Sequence, residues 1–178
     1  ARAAAMRGAD VTLIHGQTAL PPVQFTTDAP VTTAQQMYEA VTGCFDATDV
    51  LIMAAAVADY RPAAVADDKI KKKDGDLSIP VERTPDILGT IGPRKTRQFL
   101  CGFSMETRDL VENSSAKLKK KNLDMVVANN LKVAGAGFGV DTNVVTLITP
   151  DGTRELPLMS KADVADAILD EILARRNR

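Results

Sequence analysis

Four short apolar runs limit what this chain can fold into: Val11-Thr12-Leu13-Ile14, Val50-Leu51-Ile52-Met53-Ala54, Gln98-Phe99-Leu100-Cys101-Gly102-Phe103 and Leu123-Asp124-Met125-Val126-Val127-Ala128. Each reads as a strand with buried faces. Helical patterns lie between them. Thr32 or Thr33 can cap a helix running to about residue 45, with Met37, Ala40 and Val41 at helical spacing. Thr84-Pro85-Asp86-Ile87-Leu88 opens another: Thr84 can cap, Pro85 suits the first position and Asp86 suits the positive end of the dipole. Residues 109–121 form a third. This alternation predicts an α/β fold, a mostly parallel sheet with helices on both faces. A length of 178 residues suits one domain with a sizeable core, taken as residues 1–178.

The ends of the chain refine that outline. Residues 1–7 read as the end of a helix stopped by Gly8, followed directly by the first apolar run. This is the second half of a βαβ unit, so the first strand and its glycine-rich turn are expected upstream, and the sequence reads as N-terminally truncated. Phe25-Thr26-Thr27 is a candidate short strand. Near the other end, Pro150-Asp151-Gly152 separates two strand patterns, 144–149 and 153–156, as a hairpin. Ser160 with Asp163 makes an acidic capping box for a helix over 161–175, with Val164, Ile168, Ile172 and Leu173 on one stripe.

Candidate chemistry concentrates in Ala54–Lys73. The second strand shortens there to Ala54-Ala55-Ala56, where backbone can approach a ligand closely. Asp59 stands at the mouth of that opening, and Lys69, Lys71, Lys72 and Lys73 follow. Small residues, an acid and then cations suit a polyphosphate with a divalent metal. An ordinary strand end followed by a solvated hairpin accounts for the same residues equally well. Asp74-Gly75-Asp76 gives that hairpin its turn, between arms 69–73 and 77–81, and it is expected to project. Phe103 is core or a stacking surface, with core favoured. Lys117 and Lys121 share a helix face, where an anion would offset their repulsion and where the helix dipole also explains them. Asn129-Asn130 ends the last parallel strand at the ligand edge.

Net charge is −1, which argues against a general nucleic-acid or membrane-surface partner. No apolar run reaches the roughly 20 residues of a membrane span. Cys44 and Cys101 lack metal-ligand spacing and His15 is the single histidine, so a reduced cytoplasmic setting fits.

In order along the chain stand Ala55-Ala56-Val57-Ala58-Asp59-Tyr60-Arg61, Lys69-Ile70-Lys71-Lys72, Thr84-Pro85-Asp86-Ile87-Leu88, Gly102-Phe103 with Glu106-Thr107, Ala116-Lys117, and Lys121-Asn122-Leu123-Asp124. As an ordered set this resembles the bacterial phosphopantothenate–cysteine ligase family, also called phosphopantothenoylcysteine synthetase, over nearly the whole chain. The family is commonly the C-terminal half of a bifunctional coenzyme A biosynthesis protein, so the resemblance implies an upstream flavin-dependent decarboxylase domain. It also implies a Rossmann-like fold and a homodimer formed partly through a projecting strand pair, matched by 69–81. The implied reaction uses CTP and Mg2+ to activate 4′-phosphopantothenate as an acyl-cytidylate. Cysteine then attacks to give 4′-phosphopantothenoylcysteine.

By resemblance, Asp59 and Lys69 are the catalytic residues, with Asp59 holding the metal. Lys69, Lys117 and Lys121 would contact the triphosphate, and Pro85, Asp86, Ile87, Leu88 and Phe103 would build the cytidine pocket. Ala55 and Ala56 would lie by the acyl group. The family also has an upstream Gly-Pro-Thr turn and a Ser-Asn-x-Ser-Ser-Gly motif, absent from this sequence, so the polypeptide alone is expected to be inactive or severely impaired. Asn130 stands where the family more often has an acid and is given no role. The rival readings are an NAD(P)-dependent oxidoreductase, although the sequence shows no Gly-x-Gly-x-x-Gly, and a non-catalytic binding or assembly module.

Overall fold

The computed structural model describes residues 1–69, 78–106, 109–130, 133, 135–137 and 139–177. Helix α1 (Arg2–Met6) stops at Gly8, whose φ of +86° suits glycine, and leads into β1 (Thr12–His15). That strand pairs in parallel with β2 (Thr27–Pro30), two residues later than the Phe25-Thr26-Thr27 expectation. Helix α2 (Ala34–Cys44) is capped by Thr33, whose hydroxyl accepts from the Gln36 amide at 3.1 Å while the Gln36 side chain accepts from the Thr33 amide. Strand β3 (Val50–Met53) follows, then a short antiparallel ribbon, β4 (Tyr60–Pro62) with β5 (Val81–Arg83).

After α3 (Ile87–Ile91) come β6 (Phe99–Glu106), α4 (Leu110–Lys120) and β7 (Met125–Asn130). A small pair, β8 (Thr142–Asn143) with β11 (Met159–Ser160), brackets the hairpin β9 (Val145–Thr149) and β10 (Gly152–Glu155), and α5 (Lys161–Arg176) ends the fold.

The main sheet runs β10-β9-β7-β6-β3. Strands β3, β6 and β7 are parallel, as the alternation requires, and the C-terminal hairpin extends them antiparallel through β9. Successive residues of each central strand serve opposite faces. Leu100, Val126, Ala128 and Ile148 pack with Met37 and Val41 of α2, Ile87, Leu88 and Ile91 of α3, and Leu118 of α4. Cys101, Met125, Val127 and Leu147 pack on the other side with Val164, Ile168 and Ile172 of α5. Burial on both faces is why the runs are nearly continuous in apolar residues, and each such side chain contributes about 1.5–3 kcal/mol of transfer free energy.

Several details depart from the expectation. Leu173 is 49% exposed, because Val164, Ile168 and Ile172 already fill the packed stripe and the next position rotates about 100° away. Ser160 does cap α5, but Asp163 closes the motif by accepting from the Ser160 hydroxyl at 2.6 Å rather than from its amide. The last parallel strand does end at Asn129 and Asn130, as expected, and they pair in register with Met105 and Glu106. The hairpin placed at 69–81 lies largely outside the described residues. What is described is its base: the Ala63 amide donates to the Pro80 carbonyl at 3.0 Å, just beyond the β4–β5 ladder.

Cys101 is fully buried, and burial pushes its thiol well above the usual cysteine range. The Cys44 thiol donates to the Val41 carbonyl. Both behave as packing residues. Among the described residues no helix is long and apolar enough to cross a membrane.

Candidate active site

A cavity of about 400 Å³ opens where β3 ends, beside β6 and between the starts of α3 and the β4–β5 ribbon. In a parallel sheet this carboxyl edge is where loops leave room for a ligand. Its floor is Met53, Ala55, Val57, Leu88 and Phe103, and its polar wall includes Asp59, Arg83, Asp86, Lys117 and Lys121.

Local sequence explains how the walls form. The small residues 54–58 leave β3 without regular structure, and Thr84 then ties that loop to the segment entering α3. Its amide donates to the Asp59 carbonyl at 3.0 Å and its hydroxyl donates to the Ala58 carbonyl. Thr84 is therefore not the cap of α3. Asp86 is, accepting from the Gly89 amide at 2.9 Å. Its extended backbone at φ −82°, ψ 99° puts its carboxylate over the first turn, and Pro85 sits just outside the helix.

Two lysines from α4 reach the same place. The Lys117 ammonium donates to the Phe103 carbonyl at 2.6 Å, and the Lys121 ammonium donates to Asp86 Oδ1 at 2.8 Å. Partial burial pushes the Asp86 carboxyl upward, but the hydrogen bonds from Lys121 and the Gly89 amide, with the charges of Lys121 and Lys117, hold it below the usual carboxylate range. Arg83 stacks over the Tyr60 ring with its guanidinium carbon 5.7 Å from the centroid, and Arg61 pairs with Glu82 at 2.7 Å on the ribbon behind. Three cations against two carboxylates line the cavity, and one carboxylate is already paired, so an anionic ligand is favoured.

Of the residues singled out from sequence, Ala55, Asp59, Pro85, Asp86, Ile87, Leu88, Phe103, Lys117 and Lys121 line this one cavity. Lys69 and Ala56 are exposed and lie outside its lining, and Lys71, Lys72 and Lys73 lie outside the described residues. Phe103 packs against the α5-side core and also lines the cavity. Val57 and Tyr60 stood in the ordered set without a role, and Arg83 and the bridging role of Thr84 were missed. Only the adjacency of Arg83 to Thr84-Pro85 could have signalled it.

The sequence profile of the family described as the DNA/pantothenate metabolism flavoprotein C-terminal domain matches residues 1–175. The chain belongs to this family. It is similar to the coenzyme A biosynthesis bifunctional protein CoaBC of Bacillus subtilis (strain 168), 48% identical over 176 residues, covering 98% of this chain and 43% of that protein. It thus spans under half the length of this relative. The crystal structure of the C-terminal domain of a CoaBC protein superposes with a TM-score of 0.81 at 43% identity, covering 98% of this chain and 80% of that one. A Cab2 mutant in complex with phosphopantothenate-cysteine shares the fold at 20% identity, with a TM-score of 0.69 over 86% of this chain and 54% of that one.

The resemblance of the sequence to the phosphopantothenate–cysteine ligase family implies Mg2+. No cluster of three or more His, Cys, Asp or Glu side chains suited to a metal occurs among the described residues. Mg2+ commonly takes one or two carboxylates and completes its shell with phosphates and water. Asp59 is exposed at the cavity wall and is the carboxylate that fits, since Asp86 is committed to Gly89 and Lys121.

Proposed function

We propose that this domain binds CTP in the cavity and ligates 4′-phosphopantothenate to cysteine in coenzyme A biosynthesis. One observation carries this reading: residues spread from Ala55 to Lys121, singled out as an ordered set in the sequence, surround a single cavity. The coenzyme A biosynthesis part of the reading is supported by the names of the CoaBC relatives.

In this reading the substrate carboxylate attacks the α-phosphorus of CTP, the bond to the β-phosphate breaks, and pyrophosphate leaves. The cysteine amine then attacks the acyl carbon, loses its proton and expels CMP. Lys117 and Lys121 balance charge developing on the departing phosphates, with Arg83 as the third cation of the lining, while Lys69 stands outside that lining. Such fixed electrostatic contacts are each worth about 3 kcal/mol of barrier. Mg2+, held by Asp59 and the phosphates, would supply further positive charge there. Ile87, Leu88 and Phe103 give the base an apolar seat, Pro85 and Asp86 offer backbone groups to its edge, and Ala55 and Ala56 leave space for the acyl group. We further propose that the protein works in the cytoplasm as a homodimer, partly through the strand pair expected over 69–81, with a flavin-dependent decarboxylase domain fused upstream.

Calorimetric titration with CTP and Mg2+, against ATP and NAD, tests the reading. CTP-selective binding weakened by Lys117→Ala supports it. Equal binding of ATP removes the CTP assignment, and selective NAD binding replaces the ligase with an oxidoreductase.

A further inference from the structure

Asp86, Gly89 and Gly92 stand at a spacing of three along the five-residue helix α3 and its two caps; Asp86 and Gly92 meet Lys121, the residue that ends α4, and Gly89 meets Asp86. Asp86 Oδ1 accepts from both the Gly89 amide and the Lys121 ammonium. Gly89 leaves room for that carboxylate, since a Cβ there would stand 2.7 Å from Asp86 Oδ2. Gly92 lets the backbone of Lys121 come close, since a Cβ there would stand 2.1 Å from the Lys121 carbonyl oxygen. The Asn122 side chain, from a residue at φ +50°, donates to the Gly92 carbonyl at 2.9 Å and locks the same junction. Lys121 is thus fixed at both ends, its backbone against Gly92 and its ammonium against Asp86. A lone surface ion pair needs neither glycine nor a shared capping oxygen.

We infer that Asp86 is a positioning residue that pins the Lys121 ammonium on the cavity wall, so that a polyphosphate meets an anchored cation instead of a mobile side chain. The polyphosphate part rests on the function proposed above. The pinning part rests on geometry alone. Ordering a lysine head group before binding removes part of the rotamer entropy otherwise lost on binding. Two of its three ammonium protons are left to donate to phosphate.

Asp86→Asn is the informative variant, because asparagine caps a helix as well as aspartate does and keeps α3 formed. The first readout needs no ligand. In 15N-labelled chain, the Lys121 ammonium signal, assigned by its loss in Lys121→Ala, is expected to be sharp and protected from exchange with water, and to broaden away in Asp86→Asn. The second is calorimetry with CTP–Mg2+ and with inorganic tripolyphosphate. Asp86→Asn is expected to weaken both about threefold to tenfold although it removes a nearby negative charge, and to have no further effect in a Lys121→Ala background. Tighter binding by Asp86→Asn would show Asp86 to be only a competing anion and would overturn the inference. So would unchanged affinity with a persistent signal, the mark of a cap alone. If the wild-type chain binds neither polyphosphate, the proposed function fails and takes the polyphosphate role with it, while the ammonium signal still decides whether Lys121 is pinned.

Discussion

Thr84 donates its hydroxyl to the carbonyl of Ala58, 26 positions earlier, and its amide to the carbonyl of Asp59 at 3.0 Å. These two bonds hold the loop leaving β3 against the segment entering α3, and the cavity lies between them. A threonine that looks like a helix cap in sequence is instead the staple of the site.

Replacing Thr84 with valine keeps its shape and removes the hydroxyl donor. The loss is expected to cost about 1 kcal/mol of stability, in line with one hydrogen bond. It is also expected to weaken CTP several-fold, because the loop carrying Asp59 loses one of its two ties to this segment, keeping only the backbone amide bond. Urea denaturation and calorimetry on the same variant check both. Unchanged affinity would mean that Asp59 is positioned without the staple.

Gly92 and Gly43 separate close approach from helix propensity. A Cβ at Gly92 meets the Lys121 carbonyl oxygen at 2.1 Å, whereas one at Gly43 in α2 meets nothing within 4 Å. Gly92→Ala is expected to cost about 1–3 kcal/mol, the range for overpacking. Gly43→Ala is expected to stabilise by up to about 1 kcal/mol from helix propensity. Denaturant midpoints at constant m-value report both.

His15 gives a pH dependence with a definite sign. Its Nδ1 lies 2.7 Å from the Gly16 carbonyl oxygen and its Nε2 lies 2.9 Å from Asp28 Oδ1. The Gly16 carbonyl is the larger cause raising its pKa above 6.5; partial desolvation opposes this, and Asp28 adds to the rise. A raised folded-state pKa means that its stabilisation is fully present below about pH 6.5 and is lost as pH rises through the folded value. NMR titration of the ring is expected to show a midpoint above 6.5, and Asp28→Asn is expected to move it down. A midpoint at or below 6.5 contradicts this.

Asp86 works in the opposite direction. Its folded pKa is lowered, so its contribution is present above the unfolded value near 3.8 and is lost as pH falls through the folded value. Asp86→Asn is expected to lower stability in the neutral region, with the difference from the wild-type chain vanishing toward pH 2, so that the acid limb flattens. Comparing denaturation from pH 2 to pH 7 would reveal it.

Lys117 donates to the Phe103 carbonyl at 2.6 Å, so its removal should act on the ligand and on that carbonyl together. Lys117→Ala is expected to lower CTP affinity about tenfold or more, as for a charged contact worth about 1.5–3 kcal/mol. Lys117→Arg should recover only part, because a planar guanidinium does not reproduce a compact ammonium.

The sequence by itself determined the parallel core, because strands buried on both faces must be nearly continuous in apolar residues, and Val50–Met53 and Met125–Ala128 are. It also marked the starts of α2 and α5, since Thr33 and Ser160 act on amides only three residues away. It marked most of the cavity-lining residues as an ordered set. Only tertiary structure decided which of them meet. Whether Thr84 caps a helix or staples a loop depends on Ala58 lying opposite, and whether Lys121 faces solvent or Asp86 depends on α4 packing beside α3 across 35 positions. Contacts of that range are set by how the elements stack on the sheet, and no local pattern encodes them.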